Sequence, residues 1–457
     1  MSGTVGIPAR DVPVHGAYDV VVCGGGPSGC AAALAAARRG QRVLVLEAQG
    51  QLGGMGTSGM VAHWLGGRTA QGKWVTGGIF RTLSEDAAGE GIALLPTLGE
   101  DKYTPHGWLG GLAHGVPFDP FAMALFLDRR LAAAGVETLF FSPMVEPVRD
   151  GDRLTHVVFH NKSGLRAAAG AAFVDATGDA DVAARAGCPV QLGREEDGAM
   201  TAVTLEVHVS GVDQETLRNY IETNESPRFR SLIQDLRTRN EWHDDVEIFI
   251  SVQLTEPGTM MLNTTRVNGI DGTDGAEVSR GMREGRERID ALLRCIRQHI
   301  PGFSDVRVKA VAPLLGVRET RRIRGLHHLT VDEVRTGTVF ADTIGFSSYG
   351  WDLADPKRPS HQPMHGVEKP PYTALPYRMM VPEGVTNLAC PGRAVSVERP
   401  VLGPIRVMAP CMAMGEAAGA AAARVAEASI PFAAVDTDAL RETLRQEGAI
   451  VDREALD

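Results

Sequence analysis

The hydrophobic pattern opens on a wholly apolar stretch at residues 20–23 (VVVC), with the length and composition of a strand buried on both faces. An Ala-rich helical stretch follows across a glycine turn and ends at Gly40, and residues 43–46 (VLVL) form a second buried run. The pattern then predicts loops from 73 to 120 broken by a short helix over 79–87. A further helix over 118–135 repeats Met123, Leu127 and Leu131 every fourth residue before Gly135. Runs at 136–141, 144–148, 154–160 and 173–175, parted by turn sequences at 150–152 and 161–164, read as a small antiparallel meander.

From residue 200 the texture changes. Alternation over 201–211, 246–254 and parts of 260–267 predicts half-exposed antiparallel strands, with helix over 213–240 between them. Another helix carries Ile289, Leu292, Leu293, Ile296 and Ile300 on one stripe and is stopped by Pro301 and Gly302. A last strand at 385–390 breaks at Pro391, and a final helix starts at Pro410, with Gly415 and Gly419 as a bare stripe along it.

Composition narrows the function. With 457 residues, 44% hydrophobic and 22% charged, the chain is an ordinary globular protein long enough for two domains. A net charge of −10 argues against nucleic-acid and membrane partners. A small-molecule substrate remains, for a chain free to form a homo-oligomer. Six cysteines stand without a CxxC or zinc-like pairing, which suits a reduced protein with no metal site. Neither a signal-peptide profile in residues 1–17 nor a later apolar run of about 18 residues is present, so a soluble, cytoplasmic protein is expected.

The glycine turn Gly24-x-Gly26-x-x-Gly29, set between strand and helix, is the arrangement that holds an adenine dinucleotide. Gly24 permits the tight reversal, Gly26 lets a pyrophosphate reach bare backbone, and Gly29 brings the helix down onto the strand. The phosphates then meet unpaired N–H groups at the positive helix end. Glu47 follows about 20 residues later, where a carboxylate accepts ribose hydroxyls and repels a 2′-phosphate. The aperiodic, glycine-rich stretch 48–67 is either a flexible linker or, through Gly53 and Gly54, backbone running along the same cofactor. A buried strand ending Asp175-Ala176-Thr177-Gly178-Asp179 would close the site from its other side.

These motifs, in this order, resemble the FAD-dependent oxidoreductases of the glutathione-reductase-like superfamily, over roughly residues 17–67, 136–187 and 380–426. Two further stretches resemble a subgroup known only in general terms as FAD-dependent oxidoreductases. They are Arg318-Glu319-Thr320-Arg321-Arg322 and Arg406-x-x-x-x-Cys411-Met412-Ala413-Met414-Gly415-x-Ala417-Ala418-Gly419. The resemblance implies FAD rather than NAD, with Gly24, Gly26, Gly29 and Glu47 on its ADP half. Pro27, Ser28, Ala48, Gly53, Gly54, Met55 and Thr57 are expected beside them, and Ala176, Thr177, Gly178 and Asp179 opposite. It also aims the amino end of the last helix, with Arg406, Cys411 and Met412, at the flavin. In one departure, Gly392-Arg393 stands where many members have Gly-Asp to hold the ribityl chain, so those contacts must be made otherwise.

Pattern and resemblance together give an α/β fold: a Rossmann-like FAD-binding domain with a central parallel sheet and β-meander, formed by residues 1–195 and 379–457. An inserted α+β substrate domain with an antiparallel sheet occupies 196–305, and an arginine-rich segment with pocket-covering loops occupies 306–378. No later GxGxxG follows a strand, which argues against a separate NAD(P)H domain, and no CxxC near residue 60 relays electrons to a disulfide. A missing Trp-x-Trp-x-Ile-Pro stretch disfavours flavin halogenases, and Gly392-Arg393 disfavours aromatic hydroxylases. The expected chemistry is hydride exchange between flavin and a small organic substrate, by a dehydrogenase, oxidase or ene-type reductase. A flavin monooxygenase, or a binding module with structural FAD, is the alternative. His63, Tyr349, His327 and His328 are candidate proton carriers, His63 being otherwise a pocket wall with Trp64. Arg318, Arg321 and Arg322 on one helical face would either grip a carboxylate or phosphate or form a solvated surface.

Overall fold

The computed structural model describes residues 3–6, 9–97, 115–226, 228–242 and 247–456. Strand β1 (Val14–Cys23) ends in the apolar run, and α1 (Pro27–Ala37) with β2 (Val43–Leu46) completes a β-α-β unit. Val20, Val21 and Val22 are wholly buried and lie parallel to β2, as an apolar run without alternation requires. The chain passes through β3 (His63–Trp64), α2 (Gly78–Gly89), β4 (Val116–Pro117) and α3 (Pro120–Ala133), which Asp119 caps by accepting from two backbone N–H groups, to β5 (Glu137–Leu139). Within the loop expected from 73 to 120, residues 98–114 lie outside the described residues.

β6 (Met144–Asp150), β7 (Arg153–Asn161) and β8 (Gly164–Asp175) form an antiparallel meander. β5 does not join it, contrary to the pattern-based expectation, but pairs parallel with β2 at the sheet edge. Period-two patterning is blind to strand direction. A helix such as α3 carries the chain back along the sheet and so delivers a parallel strand, whereas an antiparallel partner needs only a hairpin.

The next elements are α4 (Asp181–Arg185), β9 (Val190–Leu192), β10 (Val207–Ser210), α5 (Gln214–Asn224), α6 (Arg230–Thr238), β11 (Ser251–Gln253), β12 (Met260–Leu262), α7 (Gly275–His299) and β13 (Arg307–Val311). An antiparallel sheet in the order β11-β12-β10-β13 packs with helices around its own core, which includes Val207, Leu217, Ile221, Leu262, Ile289 and Ile296. β13 carries this sheet past residue 305. Of the run expected over 246–254, only Ser251–Gln253 is strand, and residue 246 lies outside the described residues. Phe249 instead meets Phe229 and Phe303 edge to face, so its burial comes from an aromatic cluster rather than from sheet pairing.

β14 (Arg321–Ile323) pairs with β9, which removes the expected shared helical face of Arg318, Arg321 and Arg322. Val317, Thr320 and Ile323 are β-branched and favour extended backbone here. Arg321 donates to the Asp179 carbonyl and to Asp181, whereas Arg322 is buried and donates to the carbonyls of Val397 and Gly193. After α8 (Val331–Thr336), the segment expected as loop contains β15 (Thr343–Ser347) and β16 (Thr373–Pro376), paired antiparallel. β17 (Leu388–Ala389) lies parallel to the end of β8, which on its other side follows β1. The large sheet is therefore β5-β2-β1-β8-β7-β6, with β17 branching from β8. The chain closes with α9 (Leu402–Ile405), α10 (Met408–Ala428), which begins two residues ahead of Pro410, and α11 (Thr437–Gln446).

α10 lies on α1 with backbones touching. A Cβ on Gly415 would stand 2.1 Å from the Ser28 carbonyl oxygen, and one on Gly419 2.1 Å from that of Ala32. Four-residue spacing puts both glycines on one face. Gly415→Ala must therefore push the helices apart, at an expected cost of about 1–3 kcal/mol or more. Gly89→Ala, in α2 with open space around it, should change stability by less than about 1 kcal/mol, in the stabilising direction. Thermal unfolding of both variants checks this, and an unchanged midpoint for Gly415→Ala would sink the packing account.

Candidate functional site

A cavity of ≈ 430 Å³ is lined by the glycine turn after β1, by the antiparallel unit and by the start of α10. At the turn, Gly24 takes φ +101°, and a Cβ there would stand 2.4 Å from the Ala176 carbonyl oxygen, so the position requires glycine. Gly26 is different. Its φ of −71° and ψ of −173° suit any residue, and a Cβ would meet only the Gly54 Cα at 3.9 Å. That space belongs to the cavity. α1 begins beside it with Pro27 and no capping side chain, which leaves first-turn N–H groups for a ligand. Gly53 donates its N–H to the Gly25 carbonyl at 2.8 Å and brings the second glycine loop alongside.

Glu47, 5% exposed, accepts backbone N–H bonds from Gly25 and Gln49, both at 2.6 Å. Burial raises its pKa, while those two bonds pull the other way. A carboxylate has about four acceptor sites, so capacity remains for ribose hydroxyls. Opposite stand Ala176, Thr177, Gly178 and Asp179, with Pro27, Ser28 and Ala48 on the near wall. Asp175 orders that turn by accepting from the Thr177 hydroxyl at 2.6 Å and the Ala183 N–H at 3.0 Å, and burial pushes its carboxyl up to about 6.

The Gly392-Arg393 departure has a physical counterpart. Asp179 accepts from Arg393 and from the Thr320 hydroxyl, each at 2.6 Å, so acid and base face each other across the cavity wall. Arg393 lies over Gly178, where a Cβ would stand 2.5 Å from the guanidinium, and its Nε is buried with no hydrogen-bond partner among the described residues. Uncapped helix N–H groups, a guanidinium and a ribose-facing carboxylate together fit the ADP half of FAD.

Met55, His63, Arg318, Arg406 and Cys411 line the same cavity, near the uncapped amino end of α10. Gly29, Gly53, Thr57 and Met412 are not in its wall. Gly29 packs α1 onto the turn, with a Cβ position 1.9 Å from the Gly24 carbonyl oxygen, Thr57 donates to the Leu52 carbonyl, and Met412 is core. Three proposed proton carriers also lie elsewhere. The Tyr349 hydroxyl donates to Asp352 at 3.1 Å, His327 meets the Phe340 ring edge-on, and His328 Nδ1 is 3.2 Å from the Ser396 hydroxyl.

Residues not anticipated from the sequence come from the antiparallel unit: Thr204, Glu206 and Asn263. Thr204, Glu206 and His208 are each 1% exposed, so the alternating stretch expected to be half-exposed is buried on both faces. Thr204, Glu206 and His208 alternate with Val203, Leu205 and Val207 as a solvent-facing row would, so the sequence carried no local signal for this burial. Glu206 Oε2 has no hydrogen-bond partner among the described residues. Burial raises this carboxyl, against the pull of Arg266 and Arg318.

The six cysteines are free and buried, and burial raises the thiols of Cys23 and Cys411, which touch the cavity. Among the described residues, no His, Cys, Asp and Glu group could hold a metal ion, and no helix is long and apolar enough to cross a membrane.

The family described as FAD dependent oxidoreductase matches residues 19–444. A Dictyostelium discoideum protein named as a bifunctional amine oxidase is 38% identical over 111 residues, which cover 22% of this chain and 10% of that one. The match thus spans about a tenth of that relative's length. Among solved structures, a geranylgeranyl bacteriochlorophyll reductase-like protein of Thermoplasma acidophilum is 12% identical, with a TM-score of 0.47 over 96% of this chain and 94% of that one. A flavin-dependent brominase is 14% identical, with a TM-score of 0.45 over 94% of this chain and 83% of that one.

Because Gly26 faces open cavity in an unstrained conformation, Gly26→Ala should leave the unfolding midpoint of the FAD-free protein unchanged. It should weaken FAD binding about tenfold or more, through lost backbone approach to the phosphates. Fluorimetric titration of FAD into the apoprotein reads the second effect. Equal affinity for both proteins would show that the phosphates do not pass Gly26.

Proposed function

The chain belongs to the FAD-dependent oxidoreductase family, and on that premise we propose that it exchanges a hydride with a small organic substrate, as a dehydrogenase, oxidase or ene-type reductase. Bound FAD supplies the two-electron carrier, and the chain supplies position and a proton site. The order of the three dinucleotide motifs supports placing it in the glutathione-reductase-like superfamily as part of the same proposal.

Glu206 carries the reading. Hydride exchange with an alcohol, an amine or a carbon double bond moves a proton as well, and the group that handles it must face the reacting atoms. Glu206 lines the cavity, is 1% exposed, and keeps Oε2 without a partner among the described residues. Its proton is retained above the usual carboxylate range because burial disfavours the charged form. His63, buried on β3 in the same wall, is the second group placed to move a proton. A dithiol relay has no support: the cavity thiols of Cys23 and Cys411 are held protonated by burial, and thiolate is the reactive form.

Anaerobic mixing with a panel of alcohols, amines and 2-hydroxy acids should bleach the flavin without nicotinamide. Bleaching by NADPH alone, accelerated by an aromatic compound, would make the protein a flavin monooxygenase. Glu206→Gln should slow single-turnover bleaching by about 10²–10⁴-fold at unchanged FAD content. Wild-type protein should show a pH limb above the usual carboxylate range, with the oxidative rate rising as Glu206 loses its proton and the reductive rate falling. The Gln variant should lose that limb. A limb that persists would exclude Glu206 as its source.

A further inference from the structure

The cavity wall that holds Glu206 also concentrates positive charge. Arg318 donates to the Ala202 carbonyl at 2.7 Å and to the Asn263 side-chain oxygen at 3.4 Å, both neutral acceptors. It makes no salt bridge among the described residues. Arg406 donates to the Asp352 carbonyl at 2.7 Å and to its carboxylate at 3.3 Å, and its Nε is buried with no hydrogen-bond partner among the described residues. Behind them, Arg266 donates to the Thr204 hydroxyl at 2.8 Å and the Asn263 side-chain oxygen at 3.1 Å. Burial acts most strongly against the Arg318 charge, Arg266 and Arg406 add to it, and Asp352 and Glu206 support the charge.

Arg318 and Arg406 face Asp352 and Glu206, which leaves a surplus of one positive charge once Glu206 is protonated. A guanidinium stays charged in a protein, so the surplus cannot be removed by losing a proton. An uncompensated charge inside a protein is costly, and a bound anion is the usual remedy. The planar fork of Arg318 suits the two oxygens of a carboxylate, and a protonated Glu206 can donate to it. A dianionic phosphate would sit beside Asp352 and exceed a surplus of one.

We propose that Arg318 and Arg406 form a carboxylate-binding subsite, and that the organic substrate of this protein is a carboxylic acid held there beside Glu206. The inference rests on reading this cavity as the substrate and flavin site. FAD-loaded protein is the material for the test, since the cofactor's own phosphates are then already placed. Calorimetric titration compares acetate, benzoate and succinate with acetamide, benzamide and succinamide, and with inorganic phosphate.

At least one carboxylate should bind about tenfold or more tightly than its amide and than phosphate, and perturb the visible flavin spectrum. Arg318→Met should remove that preference, and Arg318→Lys should retain part of it, because charge persists without the fork. Arg406→Gln gives an independent reading should Arg318→Met fail to fold. No preference for any of the three carboxylates, tighter binding of phosphate, or a preference that survives both Arg318→Lys and Arg406→Gln undiminished would overturn the subsite. Binding is read without turnover. A carboxylate that binds through Arg318 yet leaves the flavin oxidised would count against hydride exchange while the subsite stands.

Discussion

The backbone contact between α1 and α10 is the constraint on which the rest of the site depends. Gly415 and Gly419 meet the carbonyls of Ser28 and Ala32 where no side chain of any size could stand, and α1 answers with a buried run from Cys30 to Ala36 that is small at every position except Leu34. This closeness positions two helix amino ends on one cavity. The first turn of α1 opens beside Gly26, and that of α10 beside Arg406, neither with a capping side chain. Each end carries a partial positive charge of about one half, so the scaffold favours an anionic ligand before any charged residue is counted.

Between those ends, the acid and base of the dinucleotide wall are rearranged rather than lost. Arg393 occupies the position after Gly392, and Asp179 meets it from the turn beyond β8, whose geometry the buried Asp175 fixes through Thr177 and Ala183. The pair keeps the wall from being a bare cation. It also puts a guanidinium in the cavity wall where a carboxylate would have repelled phosphate.

Local rules made the dinucleotide end legible from the chain alone. A glycine turn between a buried strand and an Ala-rich helix has few other uses, and Gly24, Gly26, Glu47 and the Ala176-Thr177-Gly178 turn all reach one cavity. Direction and long-range placement were not legible. Residues 137–139 carry the same alternation whether parallel or antiparallel, and only the crossover through α3 decides between them. Arginines at 318, 321 and 322 suit a helix by spacing, yet β-branched neighbours and pairing with β9 extend the chain there and scatter them. His327 and His328 were attractive as titratable side chains, but nothing local reports which way such a segment faces. Glu206 was hidden for the opposite reason, because an acid in an alternating strand normally points to solvent, and only tertiary packing buries that face.

The placement of that acid shows why the chain needs two cores. The Rossmann-like sheet and its helices supply a floor for the cofactor and commit inward positions such as Val20, Val22, Val43 and Val45 to packing. The antiparallel unit has a separate core of Val207, Leu217, Ile289 and their neighbours, and Thr204, Glu206 and Asn263 come to the cavity from its near side. Burying Glu206 with Oε2 unpartnered among the described residues, beside an Arg318 that makes no salt bridge among them, costs stability that hydrophobic burial in both cores must offset. Such a cost persists in a native structure only where the surroundings over-determine it, and it is relieved when a complementary ligand enters. The wall is therefore least stable when empty, and the carboxylate proposed for it is a ligand that relieves the cost.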